Sequence, residues 1–88
     1  MNKSNQPKEP RLISEIAKEI KQTWKNVHPA AVPYLAAMST IHSNQPIATY
    51  HAEDAKSIIL YFLSNAFTWR GEDARRIKAE LKSIINFK

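Results

Sequence analysis

Two stretches of the chain carry basic residues at matching intervals. Lys18, Lys21 and Lys25 stand at i, i+3 and i+7, and Arg75, Lys78 and Lys82 repeat that spacing. On an α-helix such intervals set three cations on one face, where like charges repel by about 0.2–0.5 kcal/mol per pair. A chain that keeps them is suited to an anionic partner, such as the phosphate backbone of nucleic acid. The competing reading is a solvated face relieved by local carboxylates. Glu15 is within reach of Lys18, Glu72 of Arg75 and Arg76, and Arg76 of Glu80.

A second constellation surrounds the only glycine. Trp69 and Arg70 precede Gly71, and Glu72, Asp73 and Arg75 follow it. Trp69 with Arg70 and Arg75 has the make-up of an anchor that stacks on a base or grips a protein. Equally, Trp69 can plug the end of a helical hairpin while Arg70 pairs with Glu72 or a carbonyl. The corner does not make a helix-turn-helix. With Gly71 as the turn glycine, bulky Phe67 falls where a small residue is needed, and Glu80 where an apolar one belongs.

Catalytic patterns are missing. His28, His42 and His51 make no H-x-x-x-H pair and the chain has no cysteine to join them, so they read as incidental rather than metal-ligating. No glycine-rich phosphate loop or G-x-S-x-G elbow occurs. Asp54, Tyr61, Ser64 and Asn65 are polar without a His–nucleophile arrangement among them. A non-enzymatic protein without a cofactor is expected.

The elements that must position these residues are helices. One glycine in 88 residues argues against a β-rich domain, whose tight turns draw on glycine. Ile13, Ile16, Ala17, Ile20, Trp24 and Val27 recur at threes and fours and predict a helix over 12–27, stopped by Pro29. Pro33 marks the first turn of a shorter helix reaching Thr40, with Tyr34, Leu35, Ala37 and Met38 leaving it almost no polar face. A third helix is expected over 51–68, with Glu53 and Asp54 in its first turns and Ala55, Ile58, Ile59, Phe62, Leu63 and Ala66 apolar. A fourth, after Gly71 to about Ile85, buries Ala74, Ile77, Leu81 and Ile84.

The fold class is therefore all-α: a compact bundle of three to four helices over 12–88, the third at its centre. Residues 1–11, polar and holding Pro7 and Pro10, are expected to be a flexible tail without the apolar stretch of a signal peptide. The longest apolar run, 58–63, falls far short of the roughly 20 residues that span a membrane. A cytoplasmic protein with no membrane association is expected.

Thirteen Lys and Arg against eight Asp and Glu give a net charge of +5, yet residues 26–52 hold none of these types. This segment is either core or a protein-binding surface carrying Tyr34, Met38 and Tyr50, with Trp24 just before it and Trp69 as further anchors.

The wording Pro33-Tyr34-Leu35-Ala36-Ala37-Met38, the long run from Asp54 to Ala66, and Trp69-Arg70-Gly71-Glu72 with Ala74-Arg75 resemble a family of short uncharacterised proteins. Its members come from Gram-positive bacteria and their phages and prophages. The resemblance covers about residues 13–82. It implies the setting of a mobile-element accessory protein and brings no activity, cofactor or catalytic residue with it.

Two functions follow as expectations. The first is a small protein-binding module, an adaptor or modulator of a larger bacterial or phage machine, with homodimerisation as one form. The second is a nucleic-acid-binding accessory protein contacting phosphates through Lys18, Lys21, Lys25, Arg70, Arg75, Lys78 and Lys82.

Overall fold

The computed structural model describes residues 11–42, 49–50 and 53–85. Among the described residues the fold is all-α apart from one minimal strand pair, with four helices: α1 (Ile13–Thr23), α2 (Val32–Met38), α3 (Ala55–Ser64) and α4 (Glu72–Ile85). The expected flexible tail falls, up to residue 10, outside the described residues. Arg11, placed in that tail by the sequence, is instead bound within the fold.

Each helix takes its place by what it can bury. Ile13, Ile16, Ala17 and Ile20 of α1 are fully buried, as are Ile77 and Leu81 of α4. Leu35 and Met38 of α2 and Ile58, Ile59 and Phe62 of α3 complete the shared core. The helices form a ring in which α1 packs on α2, α2 on α3, α3 on α4, and α4 on α1. α4 packs on α3 as expected, whereas the expected packing of α1 on α3 is corrected: α1 lies mainly against α2 and α4. α1 reaches the α3 side through Trp24, which meets Phe62 edge-on at 6.1 Å.

Helix ends depart from the sequence expectation for identifiable reasons. The N–H of Leu12 donates to the Glu15 carboxylate (3.0 Å), half of a capping box, so Glu15 is held at the start of α1. α1 stops at Thr23, because Trp24 swings out of helical backbone (φ −106°, ψ 93°) and its ring enters the core. α3 begins at Ala55 rather than near residue 51. The backbone of Glu53–Asp54 (β2) is committed to antiparallel pairing with Thr49–Tyr50 (β1), Thr49 opposite Asp54 and Tyr50 opposite Glu53.

The other end of α3 is closed by side chains. Ser64 Oγ donates to Leu60 O (2.9 Å) and Asn65 Nδ2 to Tyr61 O (2.8 Å). Lys78 Nζ, from α4, donates to Ala66 O (2.8 Å) and Trp69 O (2.7 Å). These donors satisfy carbonyls that a longer helix would have used. The chain then turns through Gly71, whose φ of +112° is a backbone conformation that residues with a Cβ rarely adopt. Among the described residues, no buried side-chain nitrogen or oxygen is left without a hydrogen-bond partner.

Candidate functional site

The two basic stripes are placed differently. Lys21 Nζ lies 3.4 Å from Ser39 Oγ, beside the end of α2, while Lys25 falls beyond the last turn of α1. Lys78 turns toward the end of α3, so Arg75, Lys78 and Lys82 lie along that flank of α4. Between α1 and α4 runs a set of ion pairs instead. Arg11 grips Glu80 through two nitrogens (2.7 and 3.0 Å) and reaches Glu19 (2.8 Å). Arg76 joins Glu19 (2.7 Å) and Asp73 (3.1 Å). These ion pairs, rather than either stripe, occupy the contact between α1 and α4. Of the local pairings expected, Glu15 turns from Lys18 to the N–H of Leu12, and Arg76 and Glu80 pair with the distant Glu19 and Arg11 instead of each other.

Electrostatics follow this wiring. Hydrogen bonding from Arg76 holds Glu19 below the usual carboxylate value; partial burial opposes the shift and Arg11 adds to it. Arg11, bonded first to Glu80, and Arg76, bonded first to Glu19, are held even more firmly protonated than usual. Lys78 is lowered, first by burial and then by the positive charges of Lys82 and Arg70. Its ammonium ties the turn after α3 and sits 5.9 Å from the Trp69 ring centroid. It is half-buried, and its donors point to carbonyls rather than to a ligand.

The aromatic anchors are distributed differently from the expectation. Trp24, Met38 and Trp69 are core residues with exposures of 6%, 0% and 4%, so none of them offers a docking surface. The plug reading of Trp69 is the one the fold adopts. Its ring stacks on Trp24, and Phe62 sits edge-on to both. Tyr34 alone of the expected set reaches the surface in part, packed against Tyr61 with rings 5.4 Å apart. The Tyr50 side chain lies outside the described residues. His28 Nδ1 accepts from Ala30 N (3.0 Å) and His42 Nδ1 meets Ser14 Oγ (3.1 Å), both local structural roles. His51 lies outside the described residues.

What the sequence reading missed is a second group of apolar residues. Val32, Leu60, Tyr61 and Phe67 are 48%, 42%, 48% and 62% exposed. They lie on the outer side of α2, α3 and the turn after α3, where Phe67 leans on His28 at 5.5 Å. A signal for them was present. Residues 57–69, like 26–52, contain no Asp, Glu, Lys or Arg. Both uncharged runs fold onto the same side, while the ion pairs gather on α1 and α4.

Comparison with family models, with curated proteins and with solved structures finds no match to this chain. The site is therefore argued from its own chemistry. Among the described residues no helix is long and apolar enough to cross a membrane, and no three His, Cys, Asp or Glu side chains gather to hold a metal.

Proposed function

We propose that this chain is a small, non-enzymatic protein-binding module, an adaptor or modulator of a larger bacterial or phage machine, working in the cytoplasm and docking through the outer side of α2 and α3. The observation that carries this reading is the exposure of Val32, Leu60, Tyr61 and Phe67 on a side of the molecule built from two uncharged runs. Exposed aromatic and aliphatic residues drawn from uncharged runs are the make-up of an interface centre. The polar groups near them support binding over catalysis, because Ser64 and Asn65 spend their side chains on the carbonyls of α3. The bacterial or phage setting is supported only by the sequence resemblance.

The chemistry of the face selects its occupant. An unpaired charge buried against it would cost several kcal/mol, so the partner presents an uncharged, apolar and aromatic surface. A second copy of this chain supplies one, in a two-fold arrangement that keeps both sets of charges outward.

Light scattering across a concentration series tests this occupant. A mass near twice 10.1 kDa at high micromolar concentration, returned to the monomer by Tyr61→Glu, supports it. A strict monomer turns the test to a different protein, through photo-crosslinkers at Tyr61 and at Lys18 in lysate of the producing cell. One defined adduct from Tyr61 and none from Lys18 supports the face; identical adducts from both positions discard it.

A further inference from the structure

One end of each stripe comes to a common corner. Lys25 and Arg70 line the same open depression of about 430 Å³, together with Thr23, Asn26, Thr68 and the edges of Trp24 and Trp69. Arg70 also borders a second depression of about 320 Å³ with Gly71, Ala74, Arg75 and Lys78. The two share Trp69 and Arg70. Four cations and no carboxylate line them.

This corner differs in kind from the rest of the charged surface. Arg11 and Arg76 are neutralised by Glu19, Asp73 and Glu80. Among the described residues, Lys25, Arg70 and Arg75 have no carboxylate within ion-pair distance. Lys78 holds the floor by its bonds to Ala66 O and Trp69 O, leaving the other three as the groups free to meet a ligand. The lowered affinity of Lys78 for its proton, caused in part by Lys82 and Arg70, is a further mark of a positive local field.

The exposed ring nearest to the corner along the chain belongs to the neighbour of Thr68. Trp24 and Trp69 are buried and stacked on each other, so neither can receive a base. Phe67, immediately before Thr68, is 62% exposed. Clustered unpaired cations with an exposed ring are the parts of a site for unpaired nucleotides, where phosphates meet the cations and a base stacks on the ring. A duplex hides its base faces.

We propose that this corner binds single-stranded nucleic acid, with Lys25, Arg70 and Arg75 on the phosphates and Phe67 stacked on a base. About three phosphate contacts imply a slope near −2 for log affinity against log salt, hence a roughly twentyfold loss between about 50 and about 200 mM salt.

The experiment is fluorescence anisotropy of a labelled oligothymidylate of about 12 nucleotides and of its duplex with oligoadenylate, titrated at both salts. The single strand is expected to bind with the roughly twentyfold salt effect and more tightly than the duplex. Arg70→Ala should make the slope shallower by about 0.7. Phe67→Ala should weaken binding at every salt without altering the slope, and Lys18→Glu should leave the slope as it was. Circular dichroism melts of each variant establish that it is folded. No binding at the lower salt, duplex binding as tight as the single strand, or an Arg70→Ala variant indistinguishable from the parent overturns the proposal.

Discussion

Trp24 and Trp69 lie face to face, ring centroids 5.3 Å apart and planes within 9° of parallel. One follows the last turn of α1 and the other closes the turn between α3 and α4, so this stack joins the two ends of the helical ring. Phe62 contacts both edge-on. Such aromatic pairs add about 0.5–1.5 kcal/mol beyond the area they bury.

The first prediction concerns this cluster. Trp69→Ala and Phe62→Ala should each destabilise by about 3–5 kcal/mol, because each truncates a ring with 4% exposure or less and leaves a cavity. Urea melts followed by far-UV circular dichroism read the loss. A change below about 1 kcal/mol at Phe62 would mean the ring is not core.

Gly71 supplies the second. Space is open around it, since an added Cβ would meet nothing within 4 Å, yet its φ is +112°. The cost of Gly71→Ala is therefore conformational, about 1–2 kcal/mol, and the same melts measure it. Stability equal to the parent would show that the turn relaxes to a negative φ without loss.

A third follows from Glu19. Its carboxyl is held below the ordinary value in the folded chain, so its contribution is present above the usual carboxylate range and lost as pH falls through that range and below. Glu19→Gln should lower stability near neutral pH by about 1 kcal/mol, the worth of two partly exposed ion pairs. The gap between parent and variant should close on acidification. Melts from pH 7 down to about 2 check the sign. A gap that widens in acid would refute the assignment.

Lys78 gives the fourth. Lys78→Met keeps the aliphatic stem over Trp69 but removes the ammonium from Trp69 O and from Ala66 O, the latter keeping the Trp69 N–H as a donor. The expected cost is about 1–3 kcal/mol. Hydrogen exchange should locate the added opening in the turn between α3 and α4, and faster exchange spread evenly over all four helices would contradict this role.

The parts of the fold that were legible in the sequence are those written in local periodicity. The isoleucine stripes of α1 and α4 named their buried faces almost residue by residue, and Pro33 marked the start of α2. The start of α3 and the turn after it were not legible, because they depend on groups outside them: the backbone of Thr49–Tyr50 for the first and the ammonium of Lys78 for the second. The pairing of Arg76 was hidden for the same reason. Whether Arg76 stands free depends on Glu19, 57 positions away, and no local spacing reveals that contact. Trp24 and Trp69 look like surface anchors until the turns after α1 and α3 point them at each other. Phe67 was noticed only as too large for a helix-turn-helix, and its exposure became visible once α3 ended at Ser64.

The grip of Arg11 on Glu80 spans 69 positions of sequence. A contact so remote can form only after the helices between have docked, since bringing its partners together earlier would carry the full entropy of closing that loop. It therefore acts as a latch on the escape route rather than as a guide on the way in. Glu80→Gln should quicken unfolding while leaving the folding limb of the chevron nearly where it was. The persistence of the folded chain over time thus depends on an ion pair that contributes little to how fast the fold is found.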